Sequence, residues 1–177
     1  MIQAQSGDRA AFNELAAGIG DRLFAVACRI LRDPDLAEDA AQQTIITIWR
    51  NLRQLRDPDR FEAWAYQALI RDCHRRARRA RFQSADVNEM ELRDSARDMA
   101  VTVADRDQLE RGFRRLTPDQ RSVIVLRHYL GYTLTQIADI VGTPVGTVGS
   151  RLHAAKRALR AALEADTRPG HRKDASA

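Results

Sequence analysis

An all-α fold divided into two small helical units is what the sequence predicts, on three observations. Apolar residues recur at three-and-four spacing along most of the 177 residues. Alternating β-branched runs do not occur, and helix start and stop signals punctuate the chain at short intervals. With 44% hydrophobic and 30% charged residues, the chain can fill one modest core or two small ones.

The elements follow in order. Two first helices, Asp8 to Gly18 and Asp21 to Leu31, place Phe12, Leu15, Leu23, Phe24 and Ile30 on apolar stripes. Asp35 with Glu38 three residues on forms a capping box for a long third helix, whose inner face is Ala37, Ala41, Thr44, Ile45, Ile48 and Leu52. Trp49 reads as core. Asp59 and Glu62 repeat the start signal for a fourth helix, with Phe61, Trp64, Ala65, Ala68 and Leu69 facing inward before an arginine run takes over its end. From about Phe82 to Ala104 the periodicity weakens, which predicts a flexible linker. Leu109, Phe113 and Leu116 open a second apolar cluster. Thr117-Pro118-Asp119-Gln120 then joins an N-cap, proline at the first helical position and a capping glutamine, and Gly131 stops that helix. The expected organisation is residues 1–81, a linker at 82–104, a second domain at 105–165 and a disordered tail at 166–177.

Charge is distributed unevenly around a net +5. Arg71, Arg75, Arg76, Arg78, Arg79 and Arg81 crowd one stretch against Asp72 alone. Arg151, Lys156, Arg157 and Arg160 crowd another. Between them Asp86, Glu89, Glu91, Asp94, Asp98, Asp105, Asp107 and Glu110 outnumber Arg93, Arg97 and Arg106. Two basic surfaces separated by an acidic stretch point to a polyanion as partner. No window approaches the roughly 18 apolar residues of a membrane span, and the N-terminus lacks a secretory pattern, so a soluble, cytoplasmic protein without membrane insertion is expected. Cys28 and Cys73 have no ligand spacing and read as buried, reduced thiols. His74, His128, His153 and His171 are scattered, and no Gly-rich phosphate loop or nucleophile–base pair occurs. No catalytic residue, metal or cofactor is therefore expected.

The most informative stretch is Thr133 to Leu159. Thr133-Leu134-Thr135-Gln136 is another capping box, opening a short helix with Ile137, Ala138 and Val141 on one face and Gly142 at its end. Thr143-Pro144 starts the next helix at once. Two short helices around a glycine turn are the helix-turn-helix pattern, whose second helix enters the DNA major groove. Val145, Val148, Leu152, Ala155 and Leu159 form the buried stripe of that second helix. Thr147, Ser150, Arg151, His153, Ala154 and Arg157 are left on or near its outer face, and most carry donors of the kinds used on phosphates and base edges. The competing reading of this spacing is a plain helical hairpin with a solvated face.

Leu116-Thr117-Pro118-Asp119-Gln120-Arg121 through Leu130-Gly131-Tyr132, then Ile137-Ala138 through Pro144-Val145-Gly146-Thr147-Val148-Gly149-Ser150-Arg151-Leu152-His153, resembles the C-terminal domain of extracytoplasmic-function (ECF) sigma factors of bacterial RNA polymerase. Asp35-Leu36-Ala37-Glu38-Asp39-Ala40-Ala41-Gln42-Gln43-Thr44 through Trp49-Arg50 resembles that family's polymerase-binding helix. Phe61-Glu62-Ala63-Trp64-Ala65-Tyr66 is similar to its promoter-opening segment. The likeness runs from about Gly7 to Leu163 with both parts in the family's order.

The resemblance implies a sigma factor that binds core RNA polymerase and promoter DNA and is held in check by an anti-sigma factor. It implies that Asp39, Gln42, Gln43 and Thr44 touch polymerase. Tyr66, Arg71, His74, Arg75, Arg76, Arg78 and Arg79 are implied at the opened minus-ten element, and Thr147, Ser150, Arg151, His153 and Arg157 at the minus-thirty-five element. The chain departs from the family at Gln43, where glutamate is usual, and at Arg71 and Arg75, where asparagine and an acid are common. Gly149 and Ala154 replace a common lysine and arginine. Rival readings are a sigma-mimicking adaptor, whose usual extra receiver domain does not fit this length, and a stand-alone helix-turn-helix repressor.

Overall fold

The computed structural model describes residues 1–85 and 110–167, with side chains described at 1–82 and 110–164. Every regular element among the described residues is helical. The helices are α1 (Ile2–Gln5), α2 (Arg9–Leu31), α3 (Pro34–Asn51), α4 (Phe61–Ala85), α5 (residues 110–114), α6 (Pro118–Ile124), α7 (Leu134–Val141) and α8 (Val145–Thr167).

Helices α2, α3 and α4 form the first unit around Leu23, Val26, Ile30, Ile48, Leu52, Leu69 and Ile70, all essentially inaccessible. Each such aliphatic side chain stabilises the bundle by about 1.5–3 kcal/mol on burial. α1 closes one end because Gln5 Nε2 donates to the carbonyls of Leu52 and Leu55, at 3.2 and 2.7 Å, in the turn that follows α3. Arg22 and Glu62 tie α2 to α4 at 2.6 Å across a half-exposed surface, a modest contribution in solvent.

Several boundaries differ from the sequence expectation. α2 is one continuous helix, since Gly18 and Gly20 take helical geometry and a Cβ at Gly18 would meet nothing. Asp33, not Asp35, caps α3: its carboxylate accepts from Leu36 N at 2.9 Å, with Pro34 at the first helical position. Asp57, not Asp59, caps a short 3₁₀ turn at Pro58–Arg60 that feeds α4. α4 itself runs to Ala85, so the first residues assigned to the linker are helical, while 86–109 lie outside the described residues. Phe24 is 40% and Trp49 39% exposed, against an expectation of core for both. Helical geometry explains this, because Leu23 and Ile48 already occupy the buried direction beside them.

The second unit is α5 to α8, packed around Val123, Leu126, Ile137, Val148 and Ala155. Both predicted capping boxes are present: Thr117 and Thr133 each accept from the glutamine backbone three residues on, and each glutamine side chain accepts in return. After Ile124 the helix widens into a π turn, Val125–Tyr129, before Gly131 turns the chain at φ +78°. Gly142 ends α7 in the left-handed region at φ +68°, where L side chains are strained. α8 begins at Val145, one residue later than Thr143-Pro144 suggested, and reaches Thr167, so the expected tail begins inside a helix and the rest of it, 168–177, lies outside the described residues. Val145 is 43% exposed, not buried, and is the first residue of α8.

Candidate nucleic-acid and polymerase interfaces

The outer strip of α3 is set by a helical face that the core does not use. Asp39 and Gln42 are exposed, and Gln43 is half-buried. Gln42 Nε2 donates to Glu38 Oε1 at 3.2 Å, an intrahelical bond. Thr44 corrects the expectation: it is 1% exposed and its Oγ1 donates to the Ala40 carbonyl at 2.7 Å. One turn on, Ile46 and Trp49 stand 43% and 39% exposed, and Trp49 meets Phe12 edge-on at 4.6 Å. Sequence reasoning missed these two as surface residues. The signal was the run Ile45-Ile46-Thr47-Ile48-Trp49, too apolar for one side of a helix to bury.

α4 carries the arginines in two settings. Asp72, 6% exposed, accepts from both Arg75 and Arg76, and Arg76 also reaches Asp39 at 3.0 Å. The acid that interrupts the arginine run therefore anchors two of its cations, and Arg76 links the basic helix to α3. Arg71, Arg75, Arg78 and Arg79 are exposed. A cavity of about 520 Å³ opens between α3 and α4, lined among others by Gln43, Asn51, Arg56, Trp64, Arg71 and Arg75. It offers amide donors and acceptors, a ring face and guanidinium groups in one place, a suitable lining for an unstacked base beside a phosphate track. The cavity was not legible in the sequence, since its lining comes from two helices and the 51–56 turn.

Tyr66 and His74 do not lie on the exposed track. Tyr66 is fully buried; burial and the nearby Glu62 push its phenol up to about 12, against the lowering effect of Arg22. His74 is half-buried, with Nε2 2.9 Å from Ser122 Oγ and Nδ1 3.4 Å from Asp119. Burial lowers its pKa, Asp119 opposes this, and Arg151 and Arg78 reinforce it.

On α8, Ser150, His153 and Arg157 are exposed, and Thr147 and Arg151 half-buried. Ser150 Oγ donates to the Thr147 carbonyl at 3.0 Å, and Arg151 Nη1 lies 3.8 Å from Asp119. The stripe of Val148, Leu152 and Ala155 is buried as periodicity required, which fixes the direction in which Ser150, His153 and Arg157 project. Among the described residues no cluster of His, Cys, Asp and Glu is arranged to hold a metal, and no helix is long and apolar enough to cross a membrane. Cys73 is buried and burial pushes its thiol up to about 12, while Cys28 is half-buried.

Comparison with known proteins matches residues 16–83 to the family described as Sigma-70 region 2 and residues 106–159 to Sigma-70, region 4. The ECF RNA polymerase sigma factor SigL of Mycobacterium tuberculosis is 32% identical over 160 residues, covering 88% of either chain. The RNA polymerase sigma-H factor of Pseudomonas aeruginosa is 29% identical over 175 residues, covering 92% of this chain and 91% of its own. Among solved structures, the sigma factor RpoE in complex with the anti-sigma factor NepR from Bartonella quintana has the same fold, with a TM-score of 0.74 at 22% identity, over 88% of this chain and 98% of that one.

Proposed function

The chain belongs to the ECF sigma factors, and from that membership we propose how its residues divide the work. A sigma factor binds core RNA polymerase and directs it to promoters to start transcription. It acts by binding, with no reaction of its own, and its place is the cytoplasm, where polymerase and DNA are. An anti-sigma factor controls it, as one binds the structurally similar RpoE.

The single observation that carries the assignment is the placement of three surfaces on one chain. An uncovered strip on α3 lies beside a basic helix α4 with a base-sized cavity, and a helix-turn-helix follows with donors on its second helix. Residues 1–81 then form the polymerase-docking and minus-ten domain, and 105–165 the minus-thirty-five domain. Asp39, Gln42 and Gln43 meet polymerase, with Ile46 and Trp49 adding apolar area at the same face. Arg71, Arg75, Arg78 and Arg79 track the phosphates of the opened strand, and the α3–α4 cavity receives an unstacked base. Arg76 holds α4 against α3 through Asp72 and Asp39. Ser150, Arg151, His153, Arg157 and Thr147 read the duplex. Each of these weak contacts gains from being carried on one polymerase.

Co-elution with core polymerase tests the docking assignment. Asp39→Ala combined with Gln42→Ala should weaken association while far-ultraviolet circular dichroism stays unchanged. Unaltered polymerase affinity in that folded double variant contradicts the assignment of α3.

A further inference from the structure

The two halves of the chain share one apolar core, and α6 of the second half packs against both α2 and α4 of the first. Three arginines from these helices gather there. Arg121 projects from α6, Arg32 caps the end of α2 and Arg81 stands near the end of α4. The charges that act on Arg121 are those of Arg32 and Arg81. Glu110 pairs with Arg32 at 2.5 Å, whereas no carboxylate among the described residues pairs with Arg81 or Arg121.

The three side chains are graded in exposure. Arg121 Nε is buried and has no hydrogen-bond partner among the described residues. The Arg32 side chain is 16% exposed, and Arg81 is exposed. Positive charge held out of water is unfavourable unless a counter-charge meets it. Burial, with Arg32 and Arg81 beside it, lowers the Arg121 pKa to about 10. Arg32 carries a second sign of a special role, because it is the one non-glycine among the described residues with a positive φ, +61°. L side chains rarely adopt that conformation, and where they do it is often at a binding site.

We propose that Arg32, Arg81 and Arg121 form a site for a small phosphate-bearing anion. Glu110 neutralises one of the cations, which leaves two positive charges for a doubly charged phosphate group to balance. Guanidinium forks present paired N–H donors to the oxygens of such a group, and the buried Nε of Arg121 gains an acceptor that no described residue supplies. The exposed Arg81 marks the side of entry, with Arg32 and Arg121 further in. A duplex backbone has the wrong shape for this place. It needs an exposed cationic track of the kind that Arg71, Arg75, Arg78 and Arg79 give on α4, whereas Arg121 lies where α6 is packed on two helices. The bound anion ties α2, α4 and α6 together and so stabilises the folded chain by mass action. The site is independent of the roles given to α3, α4 and α8 in transcription.

Thermal unfolding of the full chain tests it, with inorganic phosphate exchanged for sodium chloride at constant ionic strength. The midpoint should rise saturably at low phosphate concentration. Phosphate in excess stabilises many proteins by exclusion from their surfaces, so the variants decide. Arg81→Gln, at an exposed position, should weaken the apparent affinity for phosphate about tenfold, the worth of one charge-assisted hydrogen bond. Arg121→Gln should abolish the saturable rise, and in chloride alone it should melt no lower than the wild type, because it removes a buried cation without a partner. If Arg121→Gln does not fold, calorimetric titration of phosphate into Arg81→Gln and the wild type gives the answer. A wild type without the saturable rise overturns the inference, as does a rise of equal size in both variants or an Arg121→Gln chain that melts lower in chloride. Duplex DNA that displaces phosphate from the wild type would assign the cluster to the DNA backbone and overturn it as well.

Discussion

Arg151 stands where the proposed duplex-reading face of the helix-turn-helix meets its own domain. Its neighbours Ser150, His153 and Arg157 project because Val148, Leu152 and Ala155 are pinned in the core. The side chain itself leans toward Asp119 at 3.8 Å. If Arg151 reads a base edge, Arg151→Ala costs about 1–3 kcal/mol on the cognate minus-thirty-five duplex and much less on other sequences. Equal losses on every duplex, measured by fluorescence anisotropy at fixed salt, would make it a phosphate contact instead. Sequence periodicity located the exposed neighbours Ser150, His153 and Arg157, because a helix with one buried stripe has its outer face fixed by geometry. It misplaced Val145, which is apolar but sits on the first turn of α8 and stands 43% exposed. It placed Thr44 on the inner face of α3 correctly; what burial contradicts is the polymerase contact that the family resemblance implied, since Thr44 satisfies its hydroxyl within its own helix and so tolerates full burial.

At the scale of elements, helices with a complete chemical signature at their ends were legible. Thr117 with Gln120 and Thr133 with Gln136 form reciprocal capping boxes as their spacing required, and Gly142 takes the left-handed geometry that ends α7. Thr133→Ala should lower the unfolding free energy by about 1 kcal/mol, read from thermal or urea denaturation of the full chain. No change would mean that tertiary packing, not the cap, sets the start of α7. Boundaries with competing signals were misread. Asp33 and Asp35 both offer a carboxylate near the start of α3, and the proline between them decides for Asp33, since Pro34 suits the first helical position. The division of α2 at Gly18 and Gly20 failed because glycine weakens a helix without ending it when flanking residues are packed on both sides. The π turn at Val125–Tyr129 has no sequence signature of its own.

For the whole molecule, the contact between halves was beyond reach of the sequence, since it joins side chains of α2, α4, α6 and α8, the rings of Tyr129 and Tyr132 and a backbone carbonyl of α7 that no local pattern relates. It makes the packing of the two halves sensitive to pH through His74. Burial, with Arg151 and Arg78, lowers the His74 pKa below its ordinary 6.5, with Asp119 opposing and Ser122 as hydrogen-bond partner. A histidine freed by unpacking returns toward that ordinary value, so the packed arrangement is favoured above pH 6.5 and loses stability as pH falls through that value toward the lowered one. The radius of gyration should therefore rise on mild acidification, and His74→Gln should remove that dependence. A radius that falls on acidification would assign the dominant role to the His74–Asp119 attraction.

The central claim is that this one chain confers promoter-specific initiation on core polymerase, and run-off transcription with mapping of start sites tests it most directly. Core polymerase incubated with the purified chain on genomic fragments should yield discrete transcripts whose starts share two upstream elements, and the Arg71→Ala with Arg79→Ala variant should lose them while still co-eluting with the enzyme. Discrete transcripts that do not depend on the chain, or DNA binding by the chain that blocks initiation without ever supporting it, would contradict the account.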